Sequence, residues 1–148
     1  MSEKTSETVI RAWARLLRAQ RLALAQVETA LKKAGLPPLI WYDALLEIER
    51  AGDDGVRPFE LERAMLLAQY NLSRLLDRIE HEGYIEREAC LDDGRGRIVH
   101  ITERGKAMRR RMWPVYARAI ETVVGRSLTS DQLAALDGAL GSLIERLT

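Results

Sequence analysis

The chain is expected to be mainly α-helical with one small β-hairpin, on three observations. Apolar residues recur at 3.6-residue spacing over most of its 148 residues. That period gives way to β-like patterning only at 85–91 and 97–101. A glycine-containing turn sequence, DDGRG, separates those two segments.

The elements follow in order. From Ser6 to Ala34, residues Val9, Trp13, Leu16, Leu17, Leu24, Val27 and Leu31 keep helical spacing with no Gly or Pro until GLPP ends the run. Pro37 and Pro38 are expected to open a second helix, since proline is tolerated in a first turn where its missing N–H has no partner. Trp41, Leu45 and Ile48 form its buried stripe, with Tyr42 and Leu46 beside it, and Gly52 closes it. DDG at 53–55 is a turn, Val56-Arg57 a short strand pair, and Phe59 to Leu66 a third helix with Phe59, Leu61, Met65 and Leu66 apolar.

After a brief turn near Leu67 and Ala68 comes AQYNLSRLLDRIEHEG. Here Leu72, Leu75, Leu76 and Ile79 share one helical face, and Asn71, Arg74 and Arg78 lie opposite. Gly83 is the stop signal, tolerating the left-handed conformation just past a helix end. The strands 85–91 and 97–101 then place Arg95 at the tip of the hairpin and Arg97 at the base of the returning strand.

A fifth helix spans Thr102 to Gly125, with Thr102 as N-cap and an internal Pro114 expected to kink it near Arg110 to Trp113. The last helix opens with a capping box, Thr129 and Gln132, inside a staple of Leu128 and Leu133. Leu133, Leu136, Leu140, Leu143 and Leu147 then repeat at 3 and 4 spacing, a seam that fits another helix.

Two short helices joined by a tight turn and followed by a hairpin constitute a winged helix-turn-helix. The chain is therefore expected to be one domain over 1–148. Residues 37–102 form the winged lobe, and long N- and C-terminal helices, 6–34 and 103–148, form a dimerisation region. The terminal stripes exceed what a small lobe can cover. Either they pack on each other within one chain, or two copies bury them mutually.

Composition excludes several classes. One cysteine, Cys90, cannot form a disulfide within the chain and fits a reducing compartment. The longest apolar runs fall short of the roughly 20 residues that cross a bilayer. The N-terminal MSEKTSET is too polar and acidic for a signal peptide, so the expected setting is cytoplasmic, without membrane association. His81, His100 and Cys90 stand apart, which argues against a metal site. No nucleophile motif or phosphate loop is present, so neither catalytic residues nor a cofactor are expected. Net charge is only +1, yet Gly94 to Arg111 holds seven basic residues (Arg95, Arg97, Arg104, Lys106, Arg109, Arg110 and Arg111) against Glu103 alone. Such a run is either a phosphate-contacting patch or a solvated helix face.

A helix bearing exposed donors beside an arginine-tipped hairpin suits a DNA duplex. The major groove, roughly 12 Å wide, admits a helix, and the narrow neighbouring minor groove admits a guanidinium. The order LERAMLLAQYNLSRLLDRIEHEGYIERE followed by DDGRGRIVHITERG resembles the MarR (multiple-antibiotic-resistance regulator) family of bacterial transcription factors over essentially the whole chain. Its sharpest pieces are Ser73-Arg74 with Asp77-Arg78, Gly83, Asp93-Gly94-Arg95, and Thr102 with Gly105. The chain departs from the pattern at Leu66 and Ala68, where members commonly carry the turn glycine and a capping serine, and at Phe59, where they carry a polar residue. Ala68 cannot cap, a loss of about 1 kcal/mol.

The resemblance implies a homodimer through the terminal helices, on a pseudo-palindromic operator, acting as a repressor relieved by a small effector. Gln69, Tyr70 and Asn71 are the candidate base-edge contacts, since Asn and Gln can bond adenine bidentately. Ser73, Arg74 and Arg78 are assigned mainly to phosphates, Arg95 to the minor groove with Asp93 orienting it, and Arg97 to the backbone. Val9, Leu16, Leu133, Leu136, Leu140, Leu143 and Leu147 are the candidate dimer residues. Trp13, Trp41 and Tyr42 either line a pocket for an aromatic or anionic effector, with Arg63 or Arg15 as counter-charge, or belong to the core. The alternative reading is a winged-helix dimer that serves mainly as a protein-interaction module with weak DNA binding.

Overall fold

Six helices and one antiparallel hairpin account for most of residues 4–67, 71–89 and 97–148, which the computed structural model describes. The chain divides into two compact units. One comprises Leu31–Val115; the other combines the residues up to Ala30 with those from Tyr116 onwards.

Helix α1 (Glu7–Lys33) begins as expected and ends just before Gly35, whose φ of 69° belongs to the left-handed region. Helix α2 covers Leu39–Arg50, so the two prolines precede it instead of forming its first turn. The ring of Pro38 disfavours helical backbone at Pro37, and Pro38 itself is extended at φ −58° and ψ 154°. This helix is buried more widely than one stripe. Leu39, Ile40, Tyr42, Asp43, Ala44, Leu45 and Ile48 are all buried, whereas Trp41 is only half-buried and packs against the core from its margin.

Helix α3 (Pro58–Ala64) starts with proline at its first position, and the Arg57 N–H bonds Glu60 Oε1 at 3.2 Å. It is shorter than expected, and its apolar residues divide. Leu61 is fully buried, Met65 and Leu67 pack on the core, but Phe59 and Leu66 are 55% and 79% exposed. Helix α4 (Leu72–His81) buries Leu75, Leu76 and Ile79 in the core cluster it shares with α2, α3 and the hairpin, each worth about 1.5 to 3 kcal/mol of removed apolar surface. At its end the Gly83 N–H bonds Glu80 O and the Tyr84 N–H bonds Ile79 O, the paired closure that requires the φ of 79° found at Gly83.

Strands β1 (Ile85–Ala89) and β2 (Arg97–Ile101) pair antiparallel with Ile85 opposite Ile101 and Ala89 opposite Arg97. Val56 adds a single antiparallel bridge to the buried Val99, its two backbone bonds measuring 3.0 and 2.8 Å. The strand expected at Val56-Arg57 is thus one residue pair. Helix α5 (Glu103–Ile120) runs through Pro114 without interruption. The departure from α-geometry comes about two turns later, as a π turn at Glu121–Gly125.

Helix α6 (Ser130–Leu147) is opened by both bonds of the capping box. The Thr129 N–H bonds Gln132 Oε1 at 3.0 Å, and the Gln132 N–H bonds Thr129 Oγ1 at 3.2 Å. Within this unit α1 and α6 border an apolar groove of about 500 Å³ lined by residues that include Val9, Trp13, Leu16, Leu136, Leu140 and Leu143. Trp13, Leu136 and Leu143 remain 61%, 40% and 43% exposed in the single chain, so the two stripes share a groove without closing it. No helix among the described residues is long and apolar enough to cross a membrane.

Candidate nucleic-acid interface

The burial of Leu75, Leu76 and Ile79 fixes which face of α4 is left to solvent, and Asn71, Ser73, Arg74 and Arg78 are all exposed. The entry to the helix differs from expectation. Asn71 lies outside it as the N-cap, its Oδ1 accepting the Arg74 N–H at 3.2 Å. The cap that Ala68 cannot provide is therefore supplied three residues later, by a residue type suited to it. One consequence is chemical: the Asn71 carbonyl oxygen is committed to the backbone, which leaves its amide N–H groups as the donors facing outward. Gln69 and Tyr70 lie outside the described residues.

The hairpin is fastened to α4 by Arg87 of β1. Its Nη2 reaches Asp77 Oδ1 at 2.7 Å and Glu80 Oε1 at 2.8 Å, and its Nε bonds Glu80 Oε2 at 3.1 Å. The fork-shaped grip on Glu80, joined by Asp77, drives the guanidinium still further above its ordinary range and holds the Glu80 carboxyl below its own. Through this clamp the orientation of the hairpin follows that of the helix. Arg97 is exposed at the start of β2, at the hairpin end away from Ile85. Asp93, Arg95 and Cys90 lie outside the described residues.

Thr102 ties the other end of α4 to α5. Its Oγ1 accepts the Gly105 N–H at 3.1 Å, confirming it as the N-cap, and donates to Gly83 O at 2.6 Å. The turn that leads into α4 is held from below by Asp43 of α2, which is buried. Its Oδ2 accepts the Leu67 N–H at 3.0 Å, and among the described residues Oδ1, also buried, has no hydrogen-bond partner.

Burial pushes the Asp43 carboxyl upward, against the lowering effect of the Leu67 and Leu66 backbone and of Arg50. A carboxyl raised on folding holds its proton more tightly in the folded state. Its contribution to stability is full below its ordinary value of 3.8 and is lost as pH rises through the raised value. Asp43→Asn has no charge to bury, so the stability difference between variant and wild type should shift in the variant's favour from about pH 4 to about pH 7 in urea titrations. A difference that stays constant across that range would contradict this account.

The basic run does not form one patch. Arg109 is clamped by Glu49 of α2, Arg110 Nη2 lies 4.0 Å from the same carboxylate, and Lys106 pairs with Glu103 at 3.3 Å. Arg109 is mostly buried with Glu49, a carboxylate the local charge count left out, whereas Lys106 pairs with Glu103, which that count included. Arg97, Arg104 and Arg111 remain exposed.

Of the three aromatic residues expected in one pocket, Trp13 belongs to one compact unit and Trp41 and Tyr42 to the other. Trp13 lines the α1–α6 groove together with Arg15. Trp41 meets Tyr84 edge-on with centroids 6.1 Å apart, and the buried Tyr42 stacks on Trp113 at 6.0 Å. Neighbours on a helix point about 100° apart, so Trp41 and Tyr42 reach different surroundings. Asp43 and Arg87 were not singled out by sequence. The spacing of Asp77 and Glu80, three apart on one face with an arginine in the following strand, is the one local signal that pointed to the clamp.

The chain matches the model of the MarR family over residues 34–96. It is 27% identical over 89 residues to the multiple antibiotic resistance protein MarR of Escherichia coli K12, a stretch that covers 60% of this chain and 62% of that protein. Among solved structures it is similar to AbsC, a MarR family transcriptional regulator from Streptomyces coelicolor, with a TM-score of 0.80 and 27% identity, covering 99% of this chain and 98% of that one. Sco3205, a MarR family regulator of the same organism solved in complex with DNA, shares the fold at a TM-score of 0.83 and 23% identity, covering 99% and 92% of the two chains.

Proposed function

Since the chain belongs to the MarR family, we propose that it is a sequence-specific DNA-binding transcriptional regulator, a homodimeric repressor relieved by a small aromatic or anionic effector. The observation that carries this reading is the exposed face of α4, locked to the hairpin through Arg87 and Asp77 so that the two project as one body. A duplex needs such a body, because a helix in the major groove and a loop in the adjacent minor groove must hold their separation.

In this reading Gln69, Tyr70 and the amide of Asn71 face base edges. Ser73, Arg74 and Arg78 meet phosphates, Arg95 enters the minor groove beside Asp93, and Arg97 holds the backbone. The α1–α6 groove is covered by a second copy, which sets two half-sites about one helical turn, roughly 34 Å, apart. Exposed Phe59 and Leu66 beside α4 support the second reading, a winged-helix dimer that mainly docks protein.

A gel shift on the DNA flanking its own gene separates the two, and salt dependence refines the result. Arg95→Ala should weaken binding about tenfold and lower the slope of log K against log salt by about 1. An unchanged slope would remove Arg95 from the interface, and no shifted band at any salt would favour protein docking.

A further inference from the structure

Helix α1 carries no acidic residue between Glu7 and Glu28, yet it carries Arg11, Arg15, Arg18 and Arg21 there, in a chain whose net charge is only +1. At about 100° per residue, Arg11, Arg15 and Arg18 fall within a sector of about 60°, and Arg21 lies about 60° further round. The buried Val27 and the half-buried Leu16 belong to the opposite side. All four arginines are exposed, and among the described residues none has an ion pair. The result is a row of guanidinium groups about 15 Å long without a carboxylate between them.

Exposed apolar side chains accompany the row. Leu22 lies within the same sector, and Ile10 and Leu17 run along the border that Arg21 marks, all three exposed. None of the three lines the α1–α6 groove, whose edge Arg15 shares, so they are not part of the surface assigned to a second copy. A phosphate backbone would use the charges and leave the apolar residues idle. A protein partner uses both, because arginine is the cation enriched at protein interfaces, with a planar fork that grips carboxylates and a weaker hold on water than an ammonium. The spacing narrows the partner. Side chains on one side of a helix recur at steps of 3 and 4 residues, so carboxylates spaced that way on a facing helix meet the row in register.

We propose that this face of α1 docks an acidic amphipathic helix of another protein, its carboxylates against the four arginines and its apolar side chains against Ile10, Leu17 and Leu22. Charge complementarity steers the encounter and fixes the register, and the apolar border supplies the buried area that exposed ion pairs cannot replace. Arg11 to Arg21 lie in the unit formed by the residues up to Ala30 and those from Tyr116 onwards, whereas α4 and the hairpin lie in the other. The docking face therefore shares no residue with the proposed DNA interface or with Phe59 and Leu66, and it goes beyond the function proposed above.

The probe is a fluorescein-labelled peptide of about 20 residues, long enough to form a helix, with glutamates at steps of 3 and 4 on one face and leucines along its border. A scrambled peptide of identical composition removes the period and keeps the charge. Fluorescence anisotropy with the full chain is expected to show the periodic peptide bound at least about tenfold more tightly than the scrambled one. Arg11→Glu combined with Arg18→Glu should weaken the periodic peptide at least about tenfold. A peptide with lysine in place of each glutamate should bind that double variant more tightly than it binds wild type.

Thermal melts that match wild type would show that substitutions at these exposed positions leave the fold intact, and the comparison of the two acidic peptides uses wild type alone. Equal binding of periodic and scrambled peptides, a double variant that binds the periodic peptide as wild type does, or no binding up to about 1 mM would overturn the proposal. So would a random-sequence duplex whose affinity falls in the double variant while peptide binding stays unchanged, since the row would then be a phosphate surface. Operator DNA enters neither peptide comparison, so failure of this face and failure of DNA recognition are read separately.

Discussion

Alanine at position 105 is expected to cost on the order of 3 kcal/mol and to lower the melting temperature by about 10 °C. A Cβ built on Gly105 would lie 2.1 Å from the Tyr84 carbonyl oxygen and 2.9 Å from Ile101 Cγ1. The first of these is backbone, held in place because the same carbonyl accepts the Thr102 N–H at 3.0 Å. Neither atom can move alone. Relief requires α5 to lift from the junction where the end of α4, the hairpin and Thr102 meet.

Gly138 and Gly141 provide the contrast. A Cβ at either meets nothing within 4 Å, and both sit inside α6, where alanine is favoured over glycine by about 1 kcal/mol. Calorimetry on the three variants should therefore give one large loss and two small gains. A Gly105→Ala melt within a degree or two of wild type would mean that α5 is not seated on Tyr84.

The second large effect is expected on DNA affinity. On the proposed homodimer, Leu136→Glu combined with Leu143→Glu should yield a monomer at micromolar concentration and reduce operator affinity by at least about a hundredfold, because tethering converts the second half-site contact into an intramolecular event. Both leucines are exposed in the single chain, so charges there are tolerated by the fold and refused only by a covering partner. Sedimentation velocity and a gel shift on the same samples decide it. A double variant that remains dimeric would place the dimer contact elsewhere.

The parts of the structure that were legible in the sequence are those set by neighbours in the chain. Asn71 shows the limit even there: its spacing places it on the helix face, yet it stands just before the helix as its N-cap, a position asparagine suits. Prolines 37 and 38 show it again, since a second proline restrains the residue before it. The charge run misled for a different reason. Counting charges from 94 to 111 left out Glu49, which lies 60 residues before Arg109 and neutralises it.

What the sequence by itself determined is the set of local decisions: helical and strand periods, the capping box at Thr129, the Thr102 cap and the Gly83 stop. Each depends on atoms within a few residues, so residue type and spacing suffice. Only the tertiary structure decided that Asp43 holds the turn 24 residues away, that Arg87 clamps the hairpin to α4, and that Glu49 takes up Arg109. Those outcomes depend on which side chains meet across elements. Burial and charge neutralisation are properties of a three-dimensional neighbourhood, which no spacing along the chain encodes.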